Sequence, residues 1–260
     1  MSDKVGIVLS GGGYKGAAHI GLLKAFEECG ISIDKVSGSS AGAIVGALFC
    51  SGYSPEEILK FFKSNTELFS FKHIFHKKPG LINSDPKRKI FDEVLPKDSF
   101  ESLQKELNIC VTNVLKGQVQ FFSSGELVRV LLASAAIPGI FTPIEIEGVY
   151  YFDGSTMNNF PLEPLTGRCD WLYGSYVTVT KEMQPSEISS IVKVIDRASN
   201  LALLANSDHK FHLCDYVFYP DELGKYESLS SKNIDEMFTI GYEFTLKQLT
   251  KLKEAKRTPK

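Results

Sequence analysis

Apolar and polar positions in the first fifty residues fall into two alternating rhythms. Val5 to Leu9 is a short unbroken apolar run ending in Ser10-Gly11-Gly12-Gly13, the pattern of a buried strand entering a tight loop. Ala17, Ala18, Ile20, Leu22, Leu23, Ala25 and Phe26 then recur at helical spacing until Gly30. A strand is predicted at 33–37, leading into Gly38-Ser39-Ser40-Ala41-Gly42, and an apolar helix at 40–50. Strand, helix, strand, helix predicts a parallel sheet covered by helices.

Farther along, Ser54-Pro55-Glu56-Glu57 reads as an N-cap, a first-turn proline and first-turn acids, opening a helix that reaches Lys63. Residues 65–86 are irregular and rich in Phe and Lys, and a helix follows at 86–94. Hairpins are predicted at 107–115 with 118–123, and at 141–146 with 149–152, separated by a helix at 126–136. Strands at 171–179 and 216–219 and helices at 186–207 and 233–253 complete the pattern, without repeats.

Length and composition narrow the class. A chain of 260 residues, 43% hydrophobic and 23% charged, reads as one globular α/β domain over 1–260. With 29 basic and 31 acidic residues the net charge is -2, so no global field favours nucleic acid or an anionic membrane. Lys251, Lys253, Lys256, Arg257 and Lys260 make a locally basic tail, read as a solvated helix end. Cys29, Cys50, Cys110, Cys169 and Cys214 are scattered without metal-ligand spacing, and are expected to be small buried residues of a reducing compartment. Neither a signal-peptide h-region nor an apolar run of about 18 residues is present, which gives the expectation of a cytoplasmic protein.

Gly38-x-Ser40-x-Gly42 lies between a predicted strand and a predicted helix. A serine on such a sharp turn is pushed out of the sheet, and only very small residues fit two positions to either side. The following helix directs N–H groups and its positive end at the hydroxyl. Ser40 is therefore the candidate nucleophile, with Gly38 and Gly42 as its elbow.

Gly11, Gly12 and Gly13 let backbone N–H groups approach a ligand with no Cβ in the way, as a developing oxyanion requires. Lys15 lies one turn on and adds positive charge. The same loop admits a rival reading: Gly11-x-Gly13-x-x-Gly16 matches the dinucleotide fingerprint, with Asp34 as the ribose carboxylate of an oxidoreductase. For the base, a Ser–acid–His triad would end on His209 or His212, both in a polar stretch. His19, inside the first helix, reads as packed, and His73 and His76 as exposed. Asp153 is the better candidate, standing at a strand end before Gly154. Its ordinary pKa of about 3.9 is too low for an efficient base near neutrality, and burial would raise it.

Taken together, Ser10-Gly11-Gly12-Gly13-Tyr14-Lys15-Gly16, Gly38-Ser39-Ser40-Ala41-Gly42 and Asp153-Gly154-Ser155 resemble the glycine loop, nucleophile turn and catalytic Asp-Gly of patatin-like phospholipases. Ala133-Ser134-Ala135-Ala136-Ile137-Pro138-Gly139 and Asn159-Phe160-Pro161 resemble the stretches around that Asp, so the likeness covers about residues 5 to 180. The resemblance implies a three-layer α/β/α sandwich with a mainly parallel sheet. It also implies a Ser–Asp dyad without histidine: Ser40 as nucleophile, Asp153 as base, and the backbone of Gly11, Gly12 and Gly13 as oxyanion hole. The reaction implied is hydrolysis of acyl-ester lipids through an acyl-enzyme, with no cofactor and no metal. Two positions depart from the family pattern. Lys15 stands where Arg is usual, keeping the charge and losing the planar fork, and Ser155 stands where Gly or Ala is commoner.

A lipid substrate also needs an apolar approach. Phe61, Phe62, Leu68, Phe69, Phe71, Ile74 and Phe75, interleaved with lysines, are read as a cap or lid around 65–86 in transient contact with a membrane surface. A catalytically silent binding protein of the same fold is the remaining alternative.

Overall fold

Val5–Leu9 forms strand β1, and its side chains divide the interior: Val5, Ile7 and Leu9 join one apolar cluster, while Val8 joins a second with Phe160, Leu162, Leu165, Leu172 and Tyr176. A strand buried on both faces needs cover on both, which is why its run is continuously apolar. The computed structural model describes residues 3–69, 85–255 and 258–259.

The remaining strands are β2 (Lys35–Ser39), β3 (Glu106–Asn113), β4 (Gln118–Phe122), β5 (Ile144–Ile146), β6 (Val149–Asp153), β7 (Trp171–Ser175) and β8 (Tyr216–Phe218). β3, β2, β1, β7 and β8 lie side by side and parallel. β4 and β6 pair antiparallel with β3, and β5 with β6, giving one mixed, mostly parallel sheet. The chain steps from β1 to β2 on one side and returns through β7 on the other, so the ends of β1 and β7 open at a reversal of strand order. Open α/β sheets place ligands at such a point.

Registers along β3 decide the layout. β2 pairs with residues 106–110 of β3, and β6 with 111–113. β4 pairs with 109–113 and so overlaps both. A strand has two edges, so β4 occupies one, and β2 and β6 share the other end to end. Ser39 lies opposite Cys110 and Asp153 opposite Val111.

Helices α1 (Ala17–Glu28), α2 (Ala41–Cys50), α3 (Pro55–Ser64), α4 (Asp85–Val94), α5 (Leu127–Ser134), α6 (Ile191–Ala205) and α7 (Ile234–Glu254) complete the chain. α3 opens on the capping box read from the sequence, Ser54 accepting the Glu57 N–H while Glu57 accepts that of Ser54. α1 and α7 cross so closely that a Cβ on Gly21 would stand 2.1 Å from the Phe238 carbonyl oxygen.

Several expectations shift. β2 starts two residues late, because Asp34 turns its carboxylate to the Val5 N–H before the strand begins. β7 ends at Ser175 rather than 179, since the Val177 N–H leaves the sheet for the Ser10 hydroxyl. α6 begins at Ile191, where Ser190 caps the Lys193 N–H. Of the cysteines only Cys50 and Cys110 are buried; Cys29 is exposed, Cys169 and Cys214 half-buried, and all are free thiols. Phe61, Phe62, Leu68 and Phe69 are core residues rather than a cap, Phe69 meeting the Tyr14 ring edge-on at 5.2 Å. Phe71, Ile74, Phe75, His73, His76 and most of the 65–86 segment lie outside the described residues.

Candidate active site

Ser40 is held in a conformation that side chains rarely adopt, with φ 51° and ψ -120°. Strain of this kind costs on the order of 1–3 kcal/mol and persists only where neighbours enforce it. Here they do. A Cβ on Gly38 would lie 2.6 Å from the Gly42 carbonyl, and one on Gly42 would lie 2.2 Å from the Leu9 carbonyl oxygen. The Ser40 N–H donates to Ser134 Oγ at 2.9 Å, and the Ser134 hydroxyl donates to the Cys110 carbonyl at 2.7 Å.

The shared β3 edge brings the end of β6 against this turn. Ser40 Oγ donates to Asp153 Oδ2 at 2.7 Å, although 113 positions separate the two in the chain. Asp153 Oδ1 accepts the Ser155 N–H at 2.8 Å. Each of the two side chains is only 4% exposed. Burial pushes the Asp153 carboxyl up to about 6, against the Ser40 hydroxyl and the Ser155 donors, which pull it down. The Ser155 hydroxyl lies 3.1 Å from that of Ser39, so this departure from the family pattern is filled by a hydrogen bond.

Gly12 and Gly13 adopt positive φ of 156° and 58°, the second in the left-handed region that favours glycine. Their N–H groups find no acceptor among the described residues. Gly11 differs from its neighbours: its N–H faces the Asn159 carbonyl at 3.4 Å. Lys15 is fully buried beside the loop, and desolvation pushes its ammonium down to about 8 while Asp196 on α6 pulls the other way.

His19 braces the loop from behind. Its Nε2–H donates to the Ser10 carbonyl at 2.8 Å, which leaves Nδ1 to accept from the Ser175 hydroxyl at 2.8 Å. Thr178 donates to the Gly11 carbonyl and accepts from the Asn159 amide. Sequence reasoning assigned no role to Ser134, Asn159 or Thr178. The first two sit in stretches whose resemblance to the family was the available signal.

Two alternatives lose their geometry. Asp34 precedes β2, at the end of the sheet away from the glycine loop, and its carboxylate is taken by the Val5 N–H, so it cannot face a ribose at the loop. His209 and His212 are exposed on the turn Asp208–Leu213, while the Ser40 hydroxyl points at a carboxylate. Among the described residues no three His, Cys, Asp or Glu side chains gather as a metal site, and no helix is long and apolar enough to cross a membrane.

Residues 7–166 match the family model described as patatin-like phospholipase. The chain belongs to that family. Family relatives include the neuropathy target esterase sws of Drosophila melanogaster, 26% identical over 93% of this chain and 19% of that protein. Another is the lysophospholipase nte1 of Neurospora crassa, 25% identical over 96% of this chain and 18% of that protein. The chain thus spans less than a fifth of these relatives. The fold is shared with VipD from Legionella pneumophila, at a TM-score of 0.58 and 15% identity over 96% of this chain and 67% of that one. It is shared too with human GIVD cytosolic phospholipase A2, at 0.53 and 11% identity over 98% and 59%.

Proposed function

We propose that this chain is one catalytic domain that hydrolyses acyl-ester lipids of the phospholipid or lysophospholipid class through an acyl-enzyme on Ser40. The observation that carries the reading is the 2.7 Å hydrogen bond from the Ser40 hydroxyl to a buried carboxylate whose pKa is lifted to about 6. A base so placed is ionised at neutrality and strong enough to take a proton in the transition state. The relatives named a lysophospholipase and an esterase support the choice of substrate class.

In the first step Ser40 Oγ bonds to the ester carbonyl carbon as its proton passes to Asp153. The carbonyl oxygen becomes an anion, held by the Gly12 and Gly13 N–H groups; one such donor is worth roughly 3–4 kcal/mol of barrier. Collapse breaks the ester C–O bond, and the leaving alcohol takes the proton back from Asp153. Water, deprotonated by the same carboxylate, then attacks the acyl carbon; the Ser40 Oγ–acyl bond breaks, the fatty acid leaves, and Ser40 Oγ takes the proton back from Asp153. Lys15, paired through space with Asp196, adds positive potential behind the loop rather than a second fork of donors.

Peptide mass spectrometry of fluorophosphonate-labelled protein tests this directly: the label is expected on Ser40. Ser40→Ala and Asp153→Asn are each expected to abolish hydrolysis of short p-nitrophenyl esters while the chain stays folded. Substantial residual turnover in either variant would reject that residue's role.

A further inference from the structure

α6 wears its amphipathicity inside out. Its inner face presents Asp196, Asn200 and Leu204 at helical spacing; Asp196 feels the buried Lys15 of the glycine loop, and Leu204 packs on the second apolar cluster. Its outer face is apolar. Ile191 is 76% exposed, Ile195 60%, Val194 48% and Leu201 46%, interrupted only by Ser199 and alanines. Surface apolar residues scattered singly need no explanation, whereas a contiguous stripe marks a contact surface. The charges of the helix, Lys193, Asp196 and Arg197, all stay off the stripe. Arg197 stands three positions from Val194 and four from Leu201, at the edge of the stripe, whereas Lys193 shares the spacing of Asn200 and Leu204 on the inner face.

We propose that the outer face of α6 is the surface by which this protein docks on a lipid bilayer, with Arg197 at its edge meeting a headgroup phosphate. The choice of a bilayer as occupant rests on the lipid-ester reading of the site, and three observations favour it. A stripe one helix wide is far short of the roughly 800 Å² per partner that a standard protein interface buries. Interfacial helices, in contrast, need only sink an apolar face about 5–10 Å below the headgroups, with basic residues beside it. Finally, Asp196 on the opposite face of the same helix interacts electrostatically with the buried Lys15, so a bilayer on α6 would lie on the far side of that helix from the glycine loop.

The test uses the full chain carrying Ser40→Ala, so that no turnover alters the vesicles. Sedimentation with vesicles of equimolar phosphatidylcholine and phosphatidylglycerol is expected to carry the protein down. Ile191→Asp with Ile195→Asp is expected to weaken that binding at least tenfold, and Arg197→Gln to weaken it on these vesicles but not on pure phosphatidylcholine. A tryptophan introduced by Ile195→Trp is expected to shift its emission to the blue on vesicles. In the Ser40-intact chain, the two aspartates are expected to leave hydrolysis of a soluble p-nitrophenyl ester unchanged. Absence of vesicle binding, or binding indifferent to the aspartates, would overturn the proposal. So would a dimer in solution that the aspartates dissociate while vesicles go unbound, which would assign the stripe to a second copy. Vesicle binding without any lipid hydrolysis would instead overturn the proposed function and leave the docking surface standing.

Discussion

Ser134 Oγ stands 2.9 Å from the Ser40 backbone nitrogen and accepts its N–H, while its own proton goes to the Cys110 carbonyl. One hydroxyl thus ties the strained turn to β3. Ser134→Ala would leave a buried donor and a buried acceptor without partners, a cost of roughly 1–3 kcal/mol each. The expected result is a rate of fluorophosphonate labelling at Ser40 that falls at least tenfold, with an unchanged pH profile and largely unchanged KM. Ser134→Thr, which keeps the hydroxyl, is expected to restore most of the rate; no difference between the two variants would refute the positioning role.

The raised Asp153 pKa sets the pH dependence of activity. Catalysis requires the ionised carboxylate, so kcat/KM for a neutral ester is expected to rise through an apparent pKa near 6 and level off above pH 7. A rate that keeps climbing toward pH 9, or that falls above pH 6, would contradict the assignment of this group as base.

Stability should carry two opposing slopes. The native state holds the Asp153 proton up to about pH 6, whereas an unfolded aspartate loses it near 4. This group therefore makes the fold less stable as pH rises through that window, by on the order of 3 kcal/mol in all. His19 does the reverse. Burial holds its native pKa down to about 4 against 6.5 unfolded, so its contribution is intact above 6.5 and is lost as pH falls. Urea unfolding of the native sequence between pH 4 and 6 is expected to show a shallow net slope from these two groups. Asp153→Asn removes one side of the balance, and is expected to be more stable than wild type at pH 7 and to lose stability steeply on acidification.

The crossing of α1 and α7 leaves no room for a methyl group. A Cβ on Gly21 would meet the Phe238 carbonyl at 2.1 Å, and one on Gly241 the Ala18 carbonyl at 2.2 Å. Gly21→Ala or Gly241→Ala is expected to lower the unfolding free energy by about 1–3 kcal/mol despite its gain in helix propensity. Denaturant titration measures this, and activity per folded molecule is expected to persist.

Much of the fold was readable because local signals agreed with burial. The continuous run of β1, the capping box at Ser54 and the glycine stop at Gly30 each state a boundary in adjacent residues. β2 was misplaced because it is buried on both faces yet carries Ser37, Gly38 and Ser39, small residues without the apolar signal of a buried strand. Phe61 and Phe62 were given to a cap because composition cannot tell a Phe-rich interface from a Phe-rich core. At the site, Ser40 and the glycine loop carried their own turn chemistry. The place of Ser134 depends on tertiary contact 94 positions away, which no local pattern encodes. The outward stripe of α6 carries the same helical period as an inward one, and the period is silent about direction.

That β2 and β6 end head to head on one side of β3 has a mechanical consequence. Ser39, next in the chain to the nucleophile, and Asp153 pair with adjacent residues, Cys110 and Val111, on a single central strand. Twisting of the sheet or fraying of β8 and β5 therefore moves both groups together and leaves their separation alone. The motion that parts them is the peeling of three residues of β6 from β3, so thermal inactivation would begin as a local unzipping there, well before the molecule as a whole comes apart.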